Sequence, residues 1–322
     1  MLEMKIVVRK MAVPDIDAVK RVDMLSWTDL MERAYGKTTR VSPRTEEGIL
    51  SYMHFDPDGC FVAVNGFAGI VGLSFSHTWG TTGWVGPISV LPSYQGRGVG
   101  KELLRASLRY LEDQRCVDVG LETMPENPVN LGMYLRSGLR PEGLVVIMGK
   151  RLRPSELEEE PSGKVTVERF SESDIRGHLL DQISRISNAL RPGLDYREEV
   201  NLALEFSFGD TLVASVKGKV RGFCTVHTVS KRKESDRADI RVLAVDPANS
   251  LEVLDSLIAS AELLAADAGK NDIFIPVPVA CRRALDMALS RNYIIAHSFE
   301  RLMWMGSSGV SERNNNLSSW SG

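Results

Sequence analysis

The sequence predicts an α/β (α+β) protein with two similar domains in tandem, each a mixed, mostly antiparallel central sheet flanked by helices. Three observations predict this class. The chain has 322 residues, which is enough for two domains of ordinary size. Short β-rich runs alternate with amphipathic helical runs along the whole chain. The order of these runs in the first half recurs in the second half, which indicates a duplicated domain.

The first half begins with the strand "KIVVRK" and an amphipathic helix, followed by the helical run "TEEGILSYM". Asn65-Gly66 joins two apolar runs, which is typical of a β-hairpin. The next strand, "GWVGPISVL", contains Pro87, which cannot donate a backbone hydrogen bond. We therefore expect this strand to be bulged, at an edge, or unpaired on one side.

A helix is predicted after residue 98 because four leucines fall on one face at helical spacing: Leu103, Leu104, Leu108 and Leu111. The strand "VDVGLETM", the short helix "NPVNLGMYLRSG" and the strand "GLVVIMGKRL" complete the first half. The second half repeats this order, with a hairpin at Lys217-Gly218, a strand ending in "AVDP" and a long helix. The predicted organisation is a first domain (1–152), a linker (153–164), a second domain (165–306) and a disordered tail (307–322).

Composition excludes several functions. The net charge is −3 and the only basic run is Lys231-Arg232-Lys233, which we interpret as solvated, so we expect no nucleic-acid partner. The four cysteines lack metal-ligand or CxxC spacing and are expected to be reduced thiols. No signal peptide or membrane-spanning run is recognisable, so we expect a soluble, cytoplasmic protein without membrane contact.

The stretch "VLPSYQGRGVGKELL" at 90–104 places three glycines at alternate positions between a strand and a helix. It does not fit a P-loop, because Lys101 is followed by Glu102, and the spacing of a dinucleotide fingerprint fails by one residue. Successive backbone N–H groups at a helix start form an anion-binding concavity, and glycines let a phosphate approach closely. The pattern therefore favours a pyrophosphate site.

Gln95, Gly98 and Gly100 resemble the Gln/Arg-x-x-Gly-x-Gly/Ala signature of the GNAT superfamily of acyl-CoA-dependent N-acetyltransferases. The resemblance covers about residues 4–152 in element order. It implies acetyl-CoA as cosubstrate and no metal, with the pyrophosphate on the loop 95–101 and the pantetheine arm along 88–90. The implied cofactor-binding residues are Ile88, Ser89, Val90, Gln95, Gly96, Arg97, Gly98, Val99, Gly100, Lys101 and Asn127.

Asn127 and Tyr134 resemble the Asn-x₆-Tyr pattern of the family, and Leu121-Glu122 resembles the ribosomal-protein alanine acetyltransferases. The resemblance implies that Tyr134 is the general acid for the leaving thiolate. Glu122 is the candidate base for the amine, directly or through water, and His77 is the second candidate. Three tryptophans could line an acceptor pocket or pack in the core: Trp27, Trp79 and Trp84.

The second half departs from the pattern. Opposite the glycine loop stands "VDPANSLEV", and opposite Tyr134 stands Met287. This half resembles the degenerate C-terminal GNAT-like domain of YitH-type acetyltransferases, so we expect no CoA site in it. We expect it to wall off one side of the acceptor cleft; a stabilising or dimerising appendage is the alternative.

The function implied is transfer of an acetyl group to a primary amine by direct attack. The acceptor stays open between a small molecule and a protein N-terminus or lysine, and the acyl donor between acetyl and a longer chain. The alternative function is a non-catalytic acyl-CoA-binding sensor or interaction module. The oligomeric state is not indicated.

Overall fold

The computed structural model describes residues 6–36, 40–153, 155, 157, 163–233, 236–248, 251–307, 309 and 316–318. Its helices are α1 (Ile16–Tyr35), α2 (Glu46–Phe55), α3 (Val99–Asp113), α4 (Pro128–Arg136), α5 (Arg176–Leu190), α6 (Arg197–Glu205), α7 (Leu251–Asp267) and α8 (Arg282–Ser290). Its first six strands are β1 (Ile6–Lys10), β2 (Phe61–Asn65), β3 (Gly69–Trp79), β4 (Thr82–Val90), β5 (Asp118–Thr123) and β6 (Arg140–Arg151). The others are β7 (Val165–Arg169), β8 (Gly209–Val216), β9 (Lys219–His227), β10 (Arg237–Val245), β11 (Asp272–Pro278), β12 (Ile294–Met305) and β13 (Asn316–Ser318).

The described strands form one continuous sheet in the order β1-β2-β3-β4-β5-β12-β6-β11-β10-β9-β8-β7, with β13 beside β10. All neighbours are antiparallel except the pairs β4–β5 and β10–β11, which are parallel. Helices pack on this sheet, and the four leucines predicted to face the core from α3 are buried. The predicted fold class is confirmed.

The two halves exchange their last strands. Strand β12, from the end of the chain, lies between β5 and β6, while β6 lies between β12 and β11. Each half of the sheet is therefore completed by a strand from the other half, which element order alone did not predict. Most of the predicted linker, namely 154, 156 and 158–162, lies outside the described residues.

Part of the tail predicted to be disordered is ordered. Residues 316–318 form β13, which pairs with Val242–Ala244 of β10, and Leu317 is fully buried. The hydroxyl of Tyr196 donates to Oδ1 of Asn316 at 3.3 Å. The prediction from composition is wrong here, because one buried leucine and an unpaired strand edge are enough to hold a polar segment.

Both parallel strand pairs separate after three residues. Strand β4 pairs with β5 only at 82–84, and β10 pairs with β11 only at 237–239. A register shift opposite Ser74–Ser76 marks a bulge in the β3–β4 pair, beside Pro87. The irregularity predicted from this proline is confirmed. In the second half β13 fills the gap, whereas the edge of β4 beyond Trp84 faces a cavity.

Within the residues that the structure describes, no helix has both the length and the apolar character needed to cross a membrane.

Candidate active site

A cavity of about 640 Å³ opens where β4 and β5 separate. Its wall includes the separated part of β4, the glycine loop, the start of α4 and, from the second half, side chains of β9, β10, β11 and β12. Both predicted catalytic residues, Tyr134 and Glu122, line it. In the described part of the chain, no group of three or more His, Cys, Asp or Glu side chains could hold a metal ion.

The glycine loop has the backbone geometry that an anion site needs. Gly96 and Gly98 have φ of +72° and +84°, in the left-handed region that favours glycine, and a Cβ at either position would have no neighbour within 4 Å. Gly98 is the N-cap of α3. The first hydrogen bond within the helix runs from the N–H of Glu102 to the carbonyl of Gly98. The preceding N–H groups of the first turn have no partner inside the helix. This loop can therefore cradle a phosphate.

The side chain of Gln95 connects this loop to β4 and α1 through hydrogen bonds. Its Nε2 donates to the carbonyl of Val90 at 3.1 Å, and its Oε1 accepts from Arg33 of α1 at 3.0 Å. The Ser26 hydroxyl also donates to the carbonyl of Val90, at 2.7 Å. These contacts connect the end of β4 to the loop and to α1. The side chain of Gln95 therefore stabilises the conformation of the loop.

Most of the predicted cofactor-binding residues line the cavity: Ile88, Ser89, Val90, Gln95, Gly96, Gly98, Gly100, Lys101 and Asn127. Two do not. Val99 is buried in the core at 2% exposure, and the guanidinium of Arg97 lies over the ring of Tyr94 at 5.6 Å. The side chain of Val99 is therefore unavailable to a ligand in the loop, which could contact this residue only through its backbone N–H.

Tyr134 is positioned by the cap of its own helix. Oδ1 of Asn127 accepts from the N–H of Asn130 at 3.1 Å and so begins α4, with Pro128 at its first position. Tyr134 lies two turns further and is 6% exposed. Burial raises the pKa of its phenol to about 12. Its hydroxyl has no hydrogen bond to any described residue and is protonated at neutral pH, so it can donate a proton into the cavity.

Glu122 is held by a residue that sequence reasoning missed. Its Oε1 accepts from Nη2 of Arg301 at 2.7 Å and from Nε at 3.1 Å, and Nη2 also donates to the carbonyl of Ser318. Arg301 lies on β12, directly opposite Glu122 in the exchanged strand pair. The carboxylate at the centre of the first half is therefore oriented by the last strand of the second half.

His77, the second candidate base, does not line the cavity. It is buried, with Nε2 3.1 Å from the carbonyl of Gly86. Burial, together with nearby Lys231 and Arg241, lowers its pKa to about 3, so the ring is neutral at pH 7. Of the three tryptophans, Trp27 lines the cavity, whereas Trp79 and Trp84 are buried in the core between the halves.

The basic run at 231–233 is not a solvated turn, and that prediction is wrong for its first two residues. The N–H of Thr45 donates to the carbonyl of Lys231 at 2.9 Å, which docks this loop on the segment before α2. Nη2 of Arg232 lies 2.8 Å from Oδ2 of Asp23, which is fully buried in α1 and also pairs with Arg44. Lys231 and Arg232 are partly buried by contacts between the halves, which a local sequence pattern cannot indicate.

Comparison with known proteins finds similar sequences for the first half. Residues 24–139 match the family described as "Acetyltransferase (GNAT) family". A curated relative, the mycothiol acetyltransferase of Catenulispora acidiphila, is 28% identical over 127 residues. That match spans 36% of this chain and 40% of the relative, so the chain aligns with less than half of the relative's length.

Solved structures resemble the whole chain. A putative acetyltransferase from Pyrococcus horikoshii has a TM-score of 0.69 at 16% identity, with 98% of this chain and 95% of that chain covered. A GCN5-related N-acetyltransferase from Sphaerobacter thermophilus has 0.65 at 14%, covering 96% and 98%. A tandem GNAT protein from the clavulanic acid biosynthesis pathway has 0.60 at 14%, covering 94% and 100%.

At these identities the structures show the fold alone, and that fold is the tandem GNAT fold. The family match over 24–139 and the curated relative show that the first half is similar to acetyltransferases. The degenerate, YitH-type nature of the second half is tested by none of these matches and remains a prediction.

Proposed function

We propose that the protein is an N-acetyltransferase that moves an acetyl group from acetyl-CoA to a primary amine by direct attack. The observation that carries this proposal is the coincidence of three features in one cavity. The open edge of β4, the glycine loop at the start of α3, and the paired candidates Tyr134 and Glu122 all line it. The family match over 24–139 supports acetyl transfer in general.

The residues at the cavity fit acetyl-CoA. The loop 95–101, with its glycines in open space, would hold the pyrophosphate, and Lys101 adds a positive charge beside it. The exposed edge of β4 at 88–90 would pair with the amide groups of the pantetheine arm in the manner of an added strand. Acetyl-CoA supplies the activated thioester when bound.

Tyr134 is the proposed general acid. A thiolate that leaves the thioester needs a proton, since a thiol has a pKa of about 8.5. Tyr134 keeps its proton at neutral pH because burial raises its pKa, and its hydroxyl opens to the same cavity as the edge of β4. The backbone N–H of Val90 is the proposed donor to the carbonyl oxygen, which becomes negative as the amine attacks.

Glu122 is the proposed base, acting directly or through water. A primary amine with a pKa near 10 is almost wholly protonated at pH 7, so a proton must leave before attack. Arg301 fixes the orientation of the carboxylate, and Glu122 lines the cavity close to the separation of β4 from β5. Arg301 is a positioning residue in this scheme, because it acts through Glu122.

The second half is proposed to wall off the acceptor side of the cavity and to have no CoA site of its own. Side chains of β9, β10, β11 and β12 line the cavity, which supports the first part. The position on β10 that corresponds to the open edge of β4 is already paired with β13, which supports the second part. The absence of glycine in "VDPANSLEV" supports it as well.

A screen of acceptors tests the function. The full chain is incubated with acetyl-CoA and a panel of primary amines, free thiol is followed with time, and the acetylated amine is identified by mass spectrometry. Acetyl-CoA affinity is measured in parallel by calorimetry. Thiol release that depends on an amine supports the enzyme. Tight acetyl-CoA binding without acetylation of any amine would contradict it and would favour the acyl-CoA-binding sensor.

A further inference from the structure

The acceptor side of the cavity carries partly buried positive charge that the protein neutralises only in part. Lys231, in the loop after β9, lines the cavity, and no carboxylate of the described residues lies within 4 Å of its ammonium group. Its Nζ lies over the ring of Tyr52, 4.2 Å from the centroid, and 5.5 Å from that of Phe208. An aromatic face stabilises a cation but leaves it charged.

Arg241 of β10 is the second cation, and it forms a long ion pair with Glu199. It lines the same cavity, and its closest described carboxylate, that of Glu199, lies 3.6 Å from Nε, too far for a hydrogen bond. Arg241 is close enough to Lys231 to disfavour the charge on the ammonium group. Burial and this repulsion lower the pKa of Lys231. A bound anion would relieve both costs.

His227 adds an unpartnered polar atom at the same place. It is 5% exposed and lines the cavity, and its Nε2 has no hydrogen-bond partner in the structure. Burial, Arg241 and Lys231 lower its pKa well below the usual value, so the ring is neutral and can donate one hydrogen bond. A buried polar nitrogen without a partner is costly unless a ligand or water satisfies it.

Other charges near this loop are paired. Asp239 lines the cavity but lies 3.2 Å from Nε of Arg237, and Glu122 is held by Arg301. Asp23, behind the wall, lies between Arg44 and Arg232. Among the described residues near the loop, Lys231 has no carboxylate within 4 Å and the carboxylate near Nε of Arg241 is too far for a hydrogen bond.

The cations lie close to the open edge of β4. The Ser89 hydroxyl on that edge lies 3.5 Å from Oδ1 of Asp23, and Oδ2 of Asp23 lies 2.8 Å from Arg232, the residue next to Lys231. Ser89 and Lys231 also line the same cavity. A small molecule in that cavity can therefore lie with its amine toward β4 and an anionic group toward Lys231.

We infer that the amine acceptor also carries an oxyanion, a carboxylate or a phosphate, which binds between Lys231 and Arg241 with His227 as an additional donor. This inference rests on the proposed function and deepens it, because it names the class of acceptor. Arg241 supplies a guanidinium and Lys231 an ammonium, and both groups are strong hydrogen-bond donors to oxyanions. The acceptor is then a small molecule, since the anion site lies within the cavity between the two halves.

The test compares matched pairs of amines in the thiol-release assay. One pair is β-alanine and propylamine, and the other is phosphoethanolamine and ethanolamine. We expect the anionic member of at least one pair to have the higher kcat/KM by roughly 10- to 100-fold, the scale of one or two charge-assisted hydrogen bonds. The pair that shows the larger ratio of kcat/KM values tells whether the site prefers a carboxylate or a phosphate.

Variants assign this preference to the site. Lys231→Met and Arg241→Met should each remove most of the preference, mainly through KM, and leave acetyl-CoA affinity unchanged. Lys219→Met is the matched control, because Lys219 is exposed at the start of β9 and does not line the cavity. Equal kcat/KM within both pairs, or a preference that survives in both variants, would overturn the inference while the acetyltransferase proposal stands.

A binding measurement separates this inference from the proposed function. Succinate, which has no amine, is added to the full chain, and the melting temperature is followed. We expect stabilisation of the wild type and of Lys219→Met but not of Lys231→Met or Arg241→Met. If no amine is acetylated but succinate stabilises in this pattern, the proposed function fails and the anion site stands. Equal stabilisation of all four proteins would overturn the anion site.

Discussion

Nη2 of Arg301 on β12 lies 2.7 Å from Oε1 of Glu122 on β5, and neither side chain is more than 3% exposed. The two residues come from opposite halves of the chain and are brought together by the exchange of β6 and β12. A fragment that ends at 152 lacks β12, so it would lose both the partner of Glu122 and the neighbour of β5. We therefore expect that the first half cannot form the complete site alone.

The first prediction concerns the stability that this pair provides. Arg301→Met should lower the free energy of unfolding by about 3 kcal/mol or more, because it leaves the buried carboxylate of Glu122 without its counter-ion. Urea unfolding measures the change. The matched control is Arg105→Met, which removes an exposed pair with Glu102 and should cost less than about 1 kcal/mol. Similar losses in both variants would contradict a structural role for Arg301.

The second prediction concerns Glu122 as the base. Glu122→Gln should lower kcat by roughly 10²-fold, because an amide cannot take up a proton, while acetyl-CoA affinity stays within about twofold. Glu126→Gln is the control, since Glu126 is exposed four residues further and does not line the cavity. The kcat of both variants is measured under conditions in which urea unfolding curves show that the protein is folded. A kcat near that of the wild type would move the base role to another group.

The third prediction concerns the glycine loop. Gly98→Val should abolish acetyl-CoA binding in calorimetry, because a side chain would stand where the pyrophosphate is proposed to lie. Gly98 has a positive φ, so the substitution also strains the backbone by about 1–2 kcal/mol. Gly69→Val carries the same strain, because Gly69 has a φ of +73° and open surroundings but lies in the β2–β3 hairpin. Unchanged affinity in a folded Gly98→Val protein would refute the assignment of the loop.

Much of the first half could be predicted from the sequence because its signals are local. The hairpin at Asn65-Gly66, the irregularity at Pro87 and the buried leucine face of α3 each depend on residues adjacent in the chain, and each is observed. The glycine loop is predicted from its own spacing and Tyr134 from a resemblance to a family motif of fixed spacing, and residues of both line one cavity. Their roles in binding and chemistry remain predictions.

The missed features depend on contacts between distant segments. Strands such as β6 and β12 have the same apolar pattern whichever neighbour they pair with, so their exchange leaves no local signal. Lys231 and Arg232 belong to a basic run that is usually solvated, and only the docking of this loop on Asp23 and Thr45 buries it. Hence the acceptor side of the cavity could not be predicted from spacing.

The fourth prediction concerns Tyr134 as the acid. Tyr134→Phe should leave acetyl-CoA affinity nearly intact and lower kcat by roughly 10²-fold or more, the usual scale for a lost general acid. Because burial raises the pKa of Tyr134 to about 12, the phenol stays protonated as the pH rises. The kcat of the wild type should therefore not fall between pH 7 and pH 10 through loss of this proton. A decrease of the wild-type kcat in that pH range, absent from Tyr134→Phe, would mean that the phenol of Tyr134 ionises at a much lower pH.

Tyr196→Phe is the control for this variant, because Tyr196 is also a buried tyrosine and does not line the cavity. Its hydroxyl donates to Oδ1 of Asn316 at 3.3 Å, so its loss tests the general cost of removing a buried phenol oxygen. A larger loss of kcat in Tyr134→Phe than in Tyr196→Phe supports the acid role. Turnover by Tyr134→Phe at the wild-type rate would assign proton donation to water.

The last prediction concerns β13, which fills the gap between β10 and β11 that corresponds to the open edge of β4. Removing 316–322 should destabilise the protein by about 2 kcal/mol or more, because Leu317 is fully buried and Ser318 accepts from Arg301. The truncated chain should nevertheless bind one acetyl-CoA, since an open strand edge without a glycine loop cannot hold a pyrophosphate. Calorimetric stoichiometry measures this directly. A second bound acetyl-CoA would mean that the second half is a masked site and that β13 is what blocks it.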